Sequence, residues 1–291
     1  MAAAALESVC SYQLPTAASA GFKDAKAYDA HRPSYPPAAV SALLEQLQTA
    51  GRARARLVEL GAGTGKFTEL LAARREAFDV VAVEPHADMR ARLEAKELPG
   101  PGTVTVVDGH AAGMPVEAGW GDACVAAQSF HWFATEKALE EIRRVLKPGG
   151  VFGMIWNVEE YNGPRSWKHT TSWEKKLNDW IWSMATDGHP RFRDELWQSV
   201  FEKQRESDPG RPAAFSLPLG QDVVHWTVWL SEDALWARIN TLSQVTIMQG
   251  EQREAAAETF REALQMGDVE RNAQGEVALH GRTYLAWTTR M

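Results

Sequence analysis

The stretch VELGAGTGKF (residues 58–67) joins a short apolar run to a glycine-rich turn and the first residues of a helical pattern. A strand that ends in such a turn before a helix presents backbone N–H groups and a helix N-terminus to a ligand. A P-loop does not fit, because Leu60 and Phe67 stand where that motif needs Gly and Ser or Thr. The G-x-G-x-G spacing also brings the third glycine one residue earlier than the dinucleotide fingerprint. The remaining alternative is a sharp turn that binds no ligand.

Two acidic residues flank this turn at the ends of successive predicted strands. Glu59 immediately precedes the glycines, and Glu84 ends the next apolar run, DVVAVE (79–84). A carboxylate at position 59 would repel a pyrophosphate but suits an ammonium or sulfonium group. A carboxylate at position 84 can accept hydrogen bonds from ribose hydroxyls; the alternative is an exposed acid in a turn before Pro85. Together they favour a nucleoside ligand with positive charge near the glycines.

Short apolar runs alternate with helical patterns on both sides of the turn. The runs are nearly continuous, as is typical of strands that are covered on both faces. The alternation predicts βαβ units and a parallel, doubly wound sheet. A helix from about residue 135 ends before KPGG (147–150), because Pro and Gly cannot extend it. The predicted strands are LVEL (57–60), DVVAVE (79–84), TVTVV (103–107), DACVAAQ (122–128) and VFGMIW (151–156).

The pattern changes after Trp156. Residues 157–210 are polar with a helical pattern and hold five of the twelve tryptophans, and VVHWTVWL (223–230) and EVALHGRTYLAWTT (276–289) predict two more strands. We therefore expect four parts. They are a flexible N-terminal tail (1–21), a cofactor-binding core with an N-terminal lid segment (22–156), a helical cap (157–210) and a C-terminal part that completes the sheet (211–291).

Composition excludes several classes of protein. A chain of 291 residues with 45% hydrophobic residues can bury a large core. The net charge of −7 makes nucleic acid an unexpected partner. No stretch is apolar for the ~20 residues that a membrane helix needs. Cys10 and Cys124 are the only cysteines, which favours a reducing, cytoplasmic compartment. The histidines and cysteines have no metal-ligand spacing, so we expect no metal.

Five motifs in order resemble those of the class I S-adenosylmethionine-dependent methyltransferases. They are VELGAGTGKF, VAVEP (81–85), VDGHAAGMP (107–115), DACVAAQSFHWF (122–133) and RVLKPGGVFGMIWN (144–157). Within that superfamily the set is similar to the type-11 small-molecule branch, in the group of trans-aconitate, cantharidin and dithiol S-methyltransferases. The group-specific segments are QSFHWF (128–133) and YDAHRPSYP (28–36). The expected fold is α/β, a doubly wound, mostly parallel Rossmann-like seven-stranded sheet with a Trp-rich helical cap inserted after strand 5.

The resemblance implies S-adenosylmethionine as cofactor and assigns residues to its methionine part. Gly61, Ala62 and Gly63 would pass under the methionine, and Glu59 would lie near its amino end. Gln128, at the end of the fourth strand, would line the same side of the site.

The resemblance also assigns the nucleoside part. Glu84 would hold the ribose, and Gly109 and His110 would flank the adenine. Tyr28 and Arg32 would fold over the cofactor, with Arg32 meeting its carboxylate.

The predictions for the acceptor-binding part of the site concern one histidine and four tryptophans. His131 follows Gln128 by three residues, where ligands bind in open α/β sheets. It is predicted to be a general base or a group that orients the acceptor; the alternative is a histidine packed between its aromatic neighbours. An apolar acceptor pocket is expected from Trp132, Trp156, Trp167 and Trp173, and the alternative is that tryptophans only fill the core of the cap.

The predicted function is therefore methyl transfer from S-adenosylmethionine to O or S of a small, mainly apolar metabolite of secondary metabolism. The acceptor is a carboxylate, hydroxyl or thiol. The protein is expected to be a monomer or homodimer that binds neither nucleic acid nor membrane. The alternative is a protein on the same scaffold that binds the cofactor without transferring methyl, such as a cyclase or a regulatory module.

Overall fold

The computed structural model describes residues 34–185, 188–204 and 213–291. Seven strands form one sheet in the order β3-β2-β1-β4-β5-β7-β6. Strands β1 to β5 are parallel, and β7 runs antiparallel to both β5 and β6. The strands are β1 (Arg56–Leu60), β2 (Asp79–Val83), β3 (Thr103–Val107), β4 (Gly121–Ala127), β5 (Leu146–Glu159), β6 (Gly220–Leu230) and β7 (Val277–Thr289).

Nine α-helices connect or cover these strands in the described part of the chain. They are α1 (Pro37–Gln46), α2 (Lys66–Ala72), α3 (Ala87–Glu94), α4 (Glu136–Val145), α5 (Ser172–Ser183), α6 (Ser199–Lys203), α7 (Glu232–Ile239), α8 (Ser243–Thr246) and α9 (Gly250–Ala263).

The doubly wound sheet and its seven strands are confirmed. The main difference from the prediction is β5, which extends beyond VFGMIW at both ends. Helix α4 ends at Val145, and the chain then enters β5 across an irregular register beside Gly121. The longer strand carries Asn157 and Glu159 past the carboxyl end of β4, toward the cap.

Each face of the sheet is covered by its own apolar layer. On one face Leu43 and Leu44 of α1 and Leu71 of α2 pack on β1, β4 and β5. A Cβ on Gly153 would lie 2.7 Å from Leu47 Cδ2. Because Gly153 has no side chain, the end of α1 can pack closely against β5. On the other face α4 and α6 pack on the same strands.

The cap is built from two separate stretches of the chain. Strands β6 and β7 continue past the end of β5, and their projecting ends share a core with helices α5, α7, α8 and α9. The helical cap after strand 5 is thus present, and residues 232–263, which the sequence grouped with the C-terminal part of the sheet, contribute three of its helices.

Three further observations bear on the expectations from composition. No helix in the described ranges combines the length and apolarity needed to cross a membrane. Cys124 is fully buried in β4, and burial raises the pKa of its thiol. Within the same ranges, no three His, Cys, Asp or Glu residues are grouped as metal ligands.

Candidate active site

The glycine loop is held against the end of β2. The backbone N–H groups of Gly61 and Ala62 both donate to the Val83 carbonyl, at 2.9 and 3.2 Å. Gly61 has a φ of +71°, and a Cβ on it would lie 2.9 Å from Ser129 Cβ. The site therefore needs glycine here for both conformation and space. Ser129 Oγ in turn donates to the Leu60 carbonyl at 2.9 Å, which joins the loop to the end of β4.

Glu84 is fixed beside this loop by backbone N–H groups. Its Oε2 accepts from Gly63 N and its Oε1 from His86 N, both at 2.8 Å. The side chain is buried, and burial raises the pKa of the Glu84 carboxyl although the bonds from His86 and Gly63 oppose this. A carboxylate oxygen has two lone pairs, so each oxygen retains one for a hydroxyl group of a ligand.

Glu59 is buried more completely, with only 1% of its surface exposed. Its Oε2 accepts from Thr68 Oγ1 at 2.7 Å. Burial raises the pKa of Glu59 to about 8, the Thr68 hydrogen bond opposes this, and the nearby Glu84 carboxyl adds to it. The ionised form of a buried carboxyl group with a raised pKa is stabilised when a cation binds next to it.

Gln128 provides an unsatisfied acceptor at the end of β4. Its backbone has a φ of +56°, and its Nε2 donates to the Asn157 carbonyl at 2.9 Å. Its Oε1 is buried and has no hydrogen-bond partner among the groups that the structure describes. Buried acceptors are rarely left unpaired in proteins, so this oxygen fits a ligand N–H.

The residues that follow β3 are those expected to flank the adenine. Gly109 is buried, and a Cβ on it would lie 2.6 Å from Pro115 Cδ. His110 pairs with Gly113 through two backbone hydrogen bonds of 3.2 and 2.9 Å. Asp108 is exposed and forms an ion pair with Arg90 at 3.2 Å on the protein surface.

His131 is held by a tryptophan on the neighbouring strand. Trp156 Nε1 donates to His131 Nδ1 at 3.1 Å. The indole N–H is only a donor, so Nδ1 must be unprotonated in this arrangement and the proton of the neutral ring sits on Nε2. The Trp156 hydrogen bond therefore fixes the tautomer of the neutral His131 ring.

The tryptophans expected to bind an acceptor fall into two environments. Trp132 and Trp167 are half-buried, and Trp167 also packs against the Arg282 guanidinium at 4.5 Å. Trp156 is only 1% exposed and Trp173 is fully buried. A ring covered in this way exposes no surface in this structure. Trp156 donates its N–H to His131, and Trp173 packs in the core between α5 and α7 to α9, so their contact with an acceptor stays a prediction.

An aromatic cluster that motif analysis missed lies next to Trp156. Ring centroids of Trp197, Phe192 and Tyr284 lie 4.7, 4.9 and 6.3 Å from that of Trp156. Phe192 and Trp197 come from two short 3-10 helices of the cap, and Tyr284 is opposite Trp156 in the β5–β7 pairing. The only sequence signal for them was the high tryptophan count.

Two predicted residues, Tyr28 and Arg32, lie outside the described residues. The chain is described from Ser34, whose carbonyl accepts from Asn157 Nδ2 at 3.1 Å.

Glu59, Glu84, the glycine loop and Gln128 are brought together at the carboxyl end of the sheet. His131 and Trp132 follow directly on the chain.

Comparison with known proteins agrees with this arrangement. Residues 58–154 match the family model described as a methyltransferase domain. An uncharacterized methyltransferase of Mycobacterium bovis is 31% identical over 86% of this chain and 87% of its own. An uncharacterized methyltransferase of Schizosaccharomyces pombe is 36% identical over 62% of this chain and 70% of its own. The fold is similar to that of a putative type II methyltransferase from Anaeromyxobacter dehalogenans, with a TM-score of 0.53 at 20% identity over 89% of this chain and 97% of that one.

Proposed function

The chain belongs to the class I S-adenosylmethionine-dependent methyltransferases, and we propose that it methylates O or S of a small, mainly apolar metabolite. The acceptor group is a carboxylate, a hydroxyl or a thiol. The observation that carries this proposal is the Trp156–His131 hydrogen bond. It places a fixed hydrogen-bond donor immediately after the end of β4, where an acceptor oxygen or sulfur can be oriented.

The described residues fit the cofactor in charge and hydrogen-bonding capacity. The unsatisfied Gln128 Oε1 and the buried Glu59 carboxyl suit the α-ammonium and sulfonium charges. The free lone pairs of Glu84 suit the two ribose hydroxyls. In this proposal the backbone of Gly61, Ala62 and Gly63 passes under the methionine part of the cofactor.

The other cofactor assignments complete the proposal. Gly109 and His110 flank the adenine, and Tyr28 and Arg32 cover the cofactor from the N-terminal side.

Bound S-adenosylmethionine supplies an electrophilic methyl group on a sulfonium. The protein then needs to align the acceptor with that methyl and exclude water. Alignment alone can supply much of the rate enhancement of an in-line displacement. In this proposal Glu59 faces the cationic part of the cofactor, and the apolar cap shields the reacting atoms from water.

His131 orients the acceptor rather than removing its proton. With Nδ1 engaged by Trp156, the ring offers Nε2–H to an acceptor lone pair. A carboxylate needs no base, and a thiol with a reference pKa of about 8.5 is partly ionised near neutral pH. A donated hydrogen bond favours the anionic form of either group.

The cap supports an acceptor that carries little charge beyond its reacting group. Two of its buried carboxyl groups already have partners: Glu160 pairs with Arg282 at 3.3 Å and Glu174 with His280 at 3.0 Å. Trp132 and Trp167 are the expected aromatic contacts of the acceptor. Paired charges do not require a compensating charge on the ligand.

Calorimetric titration with S-adenosylmethionine and S-adenosylhomocysteine tests cofactor binding first. A methyl-transfer assay then compares apolar carboxylates, phenols and thiols with polar, multiply charged acceptors. We expect product with the apolar carboxylates or thiols. Cofactor binding with no product from any acceptor class would favour a scaffold protein that does not transfer methyl. Preference for polycharged acceptors would contradict the apolar assignment.

A further inference from the structure

Asn157 connects three parts of the chain at the edge of the cofactor site. Its Nδ2 donates to the Ser34 carbonyl at 3.1 Å, and its Oδ1 accepts from Thr283 Oγ1 at 2.6 Å. Its backbone carbonyl accepts from Gln128 Nε2 at 2.9 Å. The side chain is only 5% exposed, and both of its polar ends are satisfied.

We propose that Asn157 is a positioning residue for the cofactor, acting through Gln128. It does not touch the cofactor. It fixes the end of β5 so that its carbonyl holds one end of the Gln128 amide and leaves the other end for the ligand. This inference rests on the proposed place of Gln128 beside the methionine part of S-adenosylmethionine.

The chemistry of the Gln128 amide explains why such a contact is needed. One end of a primary amide donates and the other accepts, so the orientation of the amide decides which ligand it suits. Because Nε2 is engaged by Asn157, the Oε1 atom is left unpaired and buried within the described structure. An amide fixed in this sense matches a ligand ammonium and rejects a ligand carboxylate at the same point.

The backbone of Gln128 makes this contact more important. Its φ of +56° lies in the left-handed region, which is uncommon for residues other than glycine. A residue in that region persists only when its surroundings hold it there. Gln128 N also donates to the Ile155 carbonyl at 2.8 Å, so β5 holds both the backbone and the side chain of Gln128.

The Ser34 contact extends the same arrangement to the start of the described chain. Ser34 is exposed, whereas the neighbouring Tyr35 is buried against Phe67 of α2, with ring centroids 5.2 Å apart. Asn157 therefore links the residues before α1 to the strand that carries Trp156. Loss of its amide would release this link and the Thr283 bond together.

The test is a double-mutant cycle between Asn157→Ala and Gln128→Met, read as the Kd of S-adenosylmethionine by calorimetry. We expect Asn157→Ala to raise the Kd about tenfold and Gln128→Met to raise it by at least as much. The double variant should bind no more weakly than Gln128→Met, because the first substitution acts through the second residue. Additive effects in the cycle would overturn the proposal.

Thr288→Val is the matched control for a general loss of stability. Thr288 lies on the same strand as Thr283, is also buried, and donates to the Ser216 carbonyl at 2.7 Å, opposite Phe152 and away from the site. We expect its Tm to fall while its cofactor Kd stays within twofold of the wild type. A purely structural role for Asn157 would give Asn157→Ala the same profile.

Thr283→Val covers the case in which Asn157→Ala does not fold. It removes one of the two side-chain bonds of Asn157, and we expect a smaller rise of Kd in the same direction. An unchanged Kd in a folded Thr283→Val or Asn157→Ala protein would refute the positioning role. Failure of the wild type to bind S-adenosylhomocysteine would instead refute the proposed cofactor site itself.

Discussion

The cofactor side of the site is formed by short loops that follow consecutive strands, whereas the acceptor side is assembled from segments far apart in the chain. Glu59, Gly63 and Glu84 lie within 26 residues, and the Gly63 N–H donates to the Glu84 carboxylate. Trp156, Trp197 and Tyr284 meet only because β5, the cap and β7 fold together. The first kind of site is governed by local geometry and the second by packing.

The largest effect is expected on the cofactor side. Glu84→Ala removes two acceptors for the ribose hydroxyls and leaves the N–H groups of Gly63 and His86 without partners. Charge-assisted hydrogen bonds contribute about 1.5–3 kcal/mol each, so we expect the Kd of S-adenosylmethionine to rise at least ~100-fold. Asp108→Ala is the control, because its ion pair with Arg90 is on the surface; its Kd should stay within twofold. Equal effects would place the ribose elsewhere.

Glu59→Gln should stabilise the unliganded protein while weakening cofactor binding. The folded pKa of about 8 lies above the reference value of 4.5. The stability linked to this proton is fully present below pH 4.5 and is lost as the pH rises toward 8. Glutamine resembles the protonated carboxyl, so the variant should be more stable than the wild type as the pH rises toward 8, where the wild-type carboxyl must ionise at a buried position.

Glu76→Gln is the matched variant, and the pH dependence of its stability should run in the opposite direction. Hydrogen bonds from Arg74 lower the pKa of Glu76 to about 2. Its ionised form therefore stabilises the fold above pH 4.5, and this contribution is lost as the pH falls toward 2. Thermal unfolding of both variants between about pH 3 and about pH 9 should show opposite trends with pH. If the stabilities of both variants changed in the same direction with pH, burial would not be the cause of the raised pKa of Glu59.

On the acceptor side, Trp156→Phe should reduce kcat/KM for the acceptor about tenfold, equivalent to about 1.4 kcal/mol. The ring is kept, but the N–H that fixes His131 is lost. Cofactor Kd should not change. Trp173→Phe is the comparison, since its indole nitrogen has no hydrogen-bond partner among the described groups; it should lower Tm and leave kcat/KM within twofold. Reversed results would return Trp173 to the acceptor site.

The smallest effect is expected on the outer surface of the cap. Lys175 and Asp179 form an exposed i,i+4 pair on α5 at 2.5 Å. Such pairs contribute about 0.3–0.5 kcal/mol, so Lys175→Ala should change the free energy of unfolding by less than about 0.5 kcal/mol. Urea unfolding measures this, and a larger loss would mean that the cap depends on its surface as well as its core.

Motif spacing predicted most of the cofactor side because its chemistry follows from local order. A strand, a G-x-G-x-G turn and a helix can be recognised from neighbours in sequence, as can Glu84 at the end of the next strand. Asn157 ends the motif RVLKPGGVFGMIWN, but the prediction gave it no role, because its neighbours in sequence do not show which distant groups its amide binds. Its partners at Ser34 and Thr283 lie more than 120 residues away.

The sequence by itself determined the doubly wound sheet, its seven strands and the acidic residues around the glycine loop, because alternating apolar runs and turn residues act over short distances. Only the tertiary structure decided which tryptophans are covered, that Trp156 fixes the proton position on His131, and that helices α7 to α9 join the cap. Burial and side-chain hydrogen bonding depend on which distant segments pack together. That information is not contained in any short window of the chain.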